Sequence, residues 1–173
     1  MVKPYKDSSS SKKDQVTSMF DGIAKNYDAL NRVISVGIDK SWRRKLVAMV
    51  ALKNPKKVVD VATGTGDLAL ALTSIPDATI TGIDIAVEML EIGKQKVNQN
   101  KLDHRIKMVV GDAESLPLTD SSIDAVTVAF GVRNFGDLNK GLSEIYRILK
   151  PGGQLFVLET SVPKKQFFRF VAL

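Results

Sequence analysis

The sequence predicts an α/β fold, a mostly parallel sheet with helices on both of its faces. Three observations carry that prediction. Past Pro55, short unbroken apolar runs alternate with stretches of helical periodicity. Strands that lack polar alternation are those buried on both sides, as in parallel sheets. The polar residues with chemical potential fall at the ends of those runs, where ligands lie in such sheets.

Each element can be justified in order. Residues 1–13 are rich in Ser and Lys and read as a disordered basic tail. From Asp14, Val16, Met19, Phe20, Ile23, Ala24, Tyr27 and Leu30 recur at helical spacing. A second amphipathic stretch sets Trp42, Leu46, Met49 and Val50 on one face and Arg43, Arg44 and Lys45 on the other. Residues 14–54 are therefore expected to form a helical lid, and residues 55–173 the sheet-bearing core. Lys57–Val61 is the first strand, running into Gly64-Thr65-Gly66 and a helix over Asp67–Ser74. Thr79–Ile83 is the second strand, followed by a helix over Val87–Asn98. Ile106–Val110 and Ala125–Phe130 are strands three and four. Asp137 caps a helix over Leu138–Leu149, which Lys150-Pro151-Gly152-Gly153 terminates. Gln154–Glu159 is the fifth strand. The helix bearing Tyr146 is expected to pack under the sheet, with Tyr146 in the core.

Composition narrows the chemistry. A chain of 173 residues that is 44% hydrophobic suffices for one core. It contains no Cys and a single histidine, His104, so no disulfide, thiolate nucleophile or Cys/His metal site is expected. The polar N-terminus lacks the apolar stretch of a signal peptide, and no apolar run approaches the about 18 residues of a membrane span; the chain reads as cytoplasmic. The net charge of +6 is uneven: residues 1–56 carry +7 and the remainder −1. A basic leading segment reads as a solvated arm rather than a nucleic-acid surface.

The candidate site follows from strand ends. Asp60 closes strand one, and Gly64-Thr65-Gly66 lets the backbone pass close to a ligand at a helix N-terminus. Asp84 closes strand two, where a carboxylate can take both ribose hydroxyls of a nucleoside. Asp112 follows strand three, placed to accept from the exocyclic amine of adenine, with the Ala113 amide beside it. Singly, a Gly-x-Gly is more often a plain turn and an acid after a strand more often a helix cap. Three acids around one Gly-rich loop point to a nucleoside. A dinucleotide enzyme would also accept Gly64-x-Gly66-x-x-Ala69, but Asp60 would face the pyrophosphate. A cationic sulfonium and an α-amino group suit neighbouring acid instead. Tyr146-x-x-x-Lys150 imitates a reductase pair and is set aside.

Asp60-Val-Ala-Thr-Gly64-Thr-Gly66-Asp67 resembles the first motif of class I S-adenosylmethionine-dependent methyltransferases, with Ala62 in place of the usual glycine. Tyr27-Asp28-Ala-Leu-Asn31-Arg-Val-Ile-Ser35 with Trp42-Arg43, then Phe130-Gly131-Val-Arg133-Asn134, then Arg147-Ile-Leu-Lys150-Pro-Gly-Gly153 through Leu158-Glu159-Thr-Ser161, resemble the signatures of the ubiquinone/menaquinone-biosynthesis C-methyltransferases. The resemblance covers residues 14–163. It implies the Rossmann-like fold of that enzyme class, S-adenosyl-L-methionine as cofactor, and methylation of a ring carbon of demethylmenaquinol or of a ubiquinol precursor. It implies Thr65, Asp84, Asp112 and Ala113 as cofactor ligands, with Asp60, Gly64 and Gly66 shaping the loop. Glu159-Thr160 resembles the menaquinone branch. The family often has His at the position of Asp39 and Ser at that of Ala86. It also has an antiparallel strand pair after strand five, so a chain ending at Leu173 is expected to be a trimmed form with an open sheet edge and reduced stability and activity.

Methyl transfer to a quinol carbon requires an electron-rich ring, and so a group that favours the phenolate. Arg133 and Asn134, after strand four, are the catalytic candidates, against the alternative that they only brace their loop. The expected partner is a small isoprenoid quinol and not nucleic acid, since the loop after strand four lacks the Asn/Asp-Pro-Pro-aromatic motif of base-amino methylases. A non-catalytic cofactor-binding module would keep Asp84 and Asp112 without needing the quinone signatures. Brief membrane contact through the basic, Trp-bearing segment and a homodimer are both compatible with the sequence.

Overall fold

The computed structural model describes residues 10–35 and 37–160. In chain order the elements are α1 (Lys12–Ile34), α2 (Ile38–Ala51), β1 (Lys57–Val61), α3 (Asp67–Leu72), β2 (Thr79–Asp84), α4 (Val87–Gln99), β3 (Ile106–Val110), β4 (Ile123–Ala129), the 3₁₀ turn η1 (Val132–Asn134), α5 (Leu138–Ile148) and β5 (Leu149–Leu158). The five strands form one sheet in the order β3-β2-β1-β4-β5, and every pairing is parallel. Strand order reverses at β1 and β4, which opens a crevice above their carboxyl ends.

Neighbouring residues on one strand feed opposite faces. Val58 and Ala125 join a cluster with Val50, Leu72, Ile80 and Val97. Val59 and Val126 join one with Val61, Ile83, Ile145 and Ile148. This is why the strands read as unbroken apolar runs. Among the described residues no helix is long and apolar enough to cross a membrane.

The boundaries differ from expectation where local chemistry intervenes. Helix α1 starts at Lys12, inside the segment read as a tail, because the Ser11 side chain caps it by accepting from Asp14 N; residues 1–9 of that segment lie outside the described residues. The last helix stops at Ile148, and Leu149 already pairs with Ile123 of β4. Pairing resumes at Gln154 opposite Ala125, so Lys150–Gly153 bulge out of the ladder. A Cβ on Gly153 would lie 2.9 Å from Lys150 O and 3.1 Å from Asp124 O, which excludes a side chain there.

Four face assignments are corrected. Tyr146 is 83% exposed and no part of the core; Ile145 and Ile148 fill the buried stripe of α5 instead. Leu30 and Met49 are exposed. Arg43 does not point to solvent: its side chain is only 11% exposed and bridges Asp39 at 2.8 Å and Asp67 at 3.2 Å.

The cations of the last signature are structural bolts. Arg147 donates to the carbonyls of Leu116 and Leu118 and pairs with Glu144 and Asp120. Lys150 pairs with Asp124, whose other oxygen accepts from the backbone N–H of Lys56 and Lys57.

Candidate active site

β1 runs directly into Ala62-Thr63-Gly64-Thr65-Gly66, and the turn needs three left-handed residues: Ala62 at φ 55, Gly64 at φ 56 and Gly66 at φ 79. Ala62 carries that conformation at a cost of about 1–2 kcal/mol. Its Cβ also explains Gly131 across the crevice, where an added Cβ would come within 2.5 Å of it. Thr63 N donates to Ile83 O and fixes the loop against β2.

The loop opens on a cleft of about 740 Å³, counting its mouth. Strand ends line its floor: Ala62 and Gly64 after β1, Asp84 and Ile85 at β2, Gly111, Asp112 and Ala113 after β3, and Ala129, Phe130 and Gly131 at β4. Lys13, Val16, Phe20 and Tyr27 of α1 cover it.

Asp84 Oδ2 accepts from Gly64 N at 2.7 Å and Oδ1 from Ala86 N at 2.9 Å. Burial raises its carboxyl above the ordinary range, against the pull of the Ala86, Gly64 and Ile85 N–H groups. Position 86 is the N-cap of α4, and with alanine there the helix has no side-chain cap, while its backbone N–H still serves Asp84. Asp112 Oδ1 accepts from Glu114 N at 3.0 Å, while Oδ2 pairs with the Lys13 ammonium. Ala113 stands beside it on the cleft wall.

The remaining candidates are distributed differently. Asp60 is 1% exposed and lies beneath the loop, accepting from Thr63 Oγ1 and Thr127 Oγ1, each at 2.6 Å. Burial lifts its carboxyl to about 6 against those two bonds. Thr65 does not line the cleft: its hydroxyl donates to Asp28 Oδ1 at 2.6 Å and accepts from Lys96 Nζ at 3.1 Å. Gly66 caps α3, where an added Cβ would press on Met108 Cε at 3.1 Å. Asn134 lines the cleft and donates to Phe130 O at 3.4 Å. Arg133 turns toward β5, donating to Thr160 Oγ1 at 3.0 Å and pairing with Glu159 Oε1 at 3.2 Å. Asp39, at the entry signature, is buried and held by Ser35 and Arg43, so its role is to anchor α2.

Of the α1 lining, sequence reasoning missed Lys13, which falls in the segment read as a disordered tail. Its helical neighbours were legible, but its partner lies 99 positions away. Lys12 reinforces the contact, donating to Arg133 O at 3.0 Å and Phe135 O at 2.6 Å.

The arrangement sets two acids and backbone amides along the cleft floor, with Phe130 and Asn134 on its wall and Arg133 next to them in the chain, turned toward β5. Comparison with known proteins identifies the family. The model of the ubiE/COQ5 methyltransferase family matches residues 8–172. The demethylmenaquinone methyltransferase of Bacteroides fragilis is 46% identical over 165 residues, 95% of this chain and 67% of that protein. The ubiquinone/menaquinone biosynthesis C-methyltransferase UbiE of Geotalea daltonii is 48% identical over 160 residues, 91% of this chain and 68% of that one. The chain thus spans about two-thirds of the length of these relatives. Among solved structures, a SAM-dependent methyltransferase from Aquifex aeolicus superposes with a TM-score of 0.59 at 25% identity, covering 64% of this chain and 60% of that one. The [4+2]-cyclase SpnF superposes at 0.65 with 29% identity, covering 71% and 47%, so the fold alone does not specify methyl transfer.

Proposed function

The chain belongs to the ubiE/COQ5 methyltransferase family, and from that premise we propose that it methylates a ring carbon of demethylmenaquinol to give menaquinol. The observation that carries this reading is the cleft at the strand ends, where Asp84 and Asp112 flank a Gly-rich turn. The name of the Bacteroides fragilis relative supports the quinol. The Geotalea daltonii relative names both quinones, so a ubiquinol precursor is the second substrate to assay.

The cleft fits S-adenosyl-L-methionine, which when bound supplies a methyl group on cationic sulfur. Each Asp84 oxygen already takes one backbone N–H and keeps acceptor capacity for a ribose hydroxyl. Asp112 and the Ala113 amide suit an adenine edge, once Lys13 yields. Gly64 lets the chain pass close to the cofactor. Asp60 and Thr65 act one step back, fixing the turn through Thr63 and Asp28, and Gly66 supplies the left-handed residue that caps α3. Arg133, beside Asn134 at the rim, stabilises negative charge on the ring oxygen, which makes the adjacent carbon nucleophilic.

Calorimetric titration with S-adenosylhomocysteine, followed by turnover of demethylmenaquinol, tests the reading. Asp84→Ala is expected to weaken binding by about tenfold or more. Arg133→Ala should bind normally yet turn over about 10²–10³-fold more slowly. Full-rate turnover by Arg133→Ala would remove that residue from the chemistry, and failure of the parent chain to bind would remove the cofactor. On the same reading residues 14–54 serve as the lid, and the enzyme acts in the cytoplasm with peripheral membrane contact through its basic leading segment, which co-sedimentation with anionic vesicles at low salt tests.

A further inference from the structure

We propose that Glu159 recognises the ring hydroxyl of the substrate through its free carboxylate oxygen, and so selects the reduced quinol over the oxidised quinone. The inference rests on the quinol reading above and adds a residue and a specificity to it.

Glu159 directly follows β5 and extends the row of strand ends beyond β4. Asp84 and Asp112 belong to the β2 and β3 side of that row, and Glu159 stands at its opposite end. One of its oxygens is engaged: Oε1 pairs with Arg133 Nη1 at 3.2 Å and accepts from Thr160 N at 3.2 Å. Arg133 Nη1 also donates to Thr160 Oγ1 at 3.0 Å. Arg133 shares the η1 turn with Asn134, a group of the cleft lining, which sets the pair beside the rim.

The second oxygen is the anomaly. Glu159 Oε2 is shielded from solvent and has no hydrogen-bond partner among the described residues. Buried polar atoms are nearly always paired, and an unpaired carboxylate oxygen is among the costlier exceptions. A carboxylate oxygen needs a donor. A quinol offers O–H at the positions where a quinone offers only carbonyl lone pairs. Glu159 therefore attracts the first and repels the second, while Arg133 is held where the ring oxygen develops charge. Discrimination of this kind is strong, because the wrong ligand leaves the buried acceptor unpaired.

Trp42 supplies the readout. It is the sole tryptophan, and its ring centroid lies 6.2 Å from that of Phe130 on the cleft wall, so an aromatic ligand beside Phe130 quenches it. With S-adenosylhomocysteine saturating, the protein is titrated with 4-methoxy-1-naphthol, which carries one hydroxyl, and with 1,4-dimethoxynaphthalene, which carries none. The expected preference for the hydroxyl compound is about tenfold or more. Glu159→Ala should abolish that preference, with the affinity for the dimethoxy compound and for S-adenosylhomocysteine unchanged. Glu159→Asp keeps the charge beside Arg133 but withdraws the oxygen by one methylene, and should reduce the preference even if the alanine variant folds poorly. A preference that survives in both variants overturns the proposal, as does a loss of cofactor binding or of thermal stability in Glu159→Asp, which would mark a structural role. If the parent protein binds S-adenosylhomocysteine but neither naphthalene, the quinol reading falls, and that result is distinct from the first.

Discussion

Asp60 accepts two hydrogen bonds of 2.6 Å, yet burial holds its carboxyl at about 6, against an ordinary 3.8. A carboxyl raised by folding favours the native state while protonated, and that contribution is lost as pH climbs from about 4 through about 6. The difference between the two values corresponds to about 3 kcal/mol. Asp60→Asn removes the ionisation and keeps an acceptor for one threonine and a donor for the other. Chemical denaturation at pH 7 should therefore find Asp60→Asn more stable than the parent by up to about 3 kcal/mol, with the gap closing near pH 4. A parent chain that is the more stable at pH 7 contradicts the assignment. Ala62 and Gly131 form the second pair of interest at this scale. Gly131→Ala brings two Cβ atoms to 2.5 Å and should destabilise by about 1–3 kcal/mol through overpacking. Ala62→Gly should recover most of that loss in the double variant, because it removes the opposing methyl and relaxes a positive φ. Additive effects of the two changes would show that they do not meet.

At the scale of elements, α1 is strapped across the cleft at its first turn. Lys12 reaches two carbonyls around η1 and Lys13 reaches Asp112 after β3, on opposite sides of the opening. If Asp112 receives the adenine edge, Lys13 must release it first. An ion pair this exposed contributes about 1 kcal/mol at most, so Lys13→Ala is expected to tighten S-adenosylhomocysteine binding by up to about fivefold and to flatten its salt dependence. Weaker binding would mean that Lys13 stays in place and helps hold the ligand. The same helix shows where periodicity failed. Val16 and Ala24 are buried as their spacing demanded, whereas Leu30 is exposed, because the stripe runs past the part of the core that α1 covers.

Across the whole molecule, the helices before the sheet are fastened to the Gly-rich loop by charge. Lys96 of α4 bonds Asp28 of α1 and Asp67 of α3, both at 2.6 Å. Arg43 of α2 bonds the same Asp67, and Thr65 sits among them. One network thus ties α1 and α2 to α3, α4 and the Gly-rich turn, so a displacement of α1 and the shape of the turn are linked. Lys96→Met leaves Asp28 and Asp67 facing each other without a shared cation. Its α1 amides should exchange hydrogen faster by about tenfold while the amides of β1 and β4 keep their protection. Uniform loss of protection would place Lys96 in the global fold instead.

The order and type of the sheet elements, the Gly-rich turn and the two acids that line the cleft were legible in the chain alone. Apolar runs buried on both faces, turn glycines and acids at strand ends are local patterns that any fold of this class must respect. The last strand was legible only in its second half, since the first pairs through a bulge that no local pattern announces. What the tertiary structure decided is which acid faces the cleft and which supports it. Asp60, Asp84 and Asp112 look alike in sequence. The threonines of β4 and of the turn claim Asp60, backbone amides hold Asp84, and the start of α1 reaches Asp112. Those partners are distant along the chain, and it is they that divide three similar carboxylates into one buried brace and two that line the cleft.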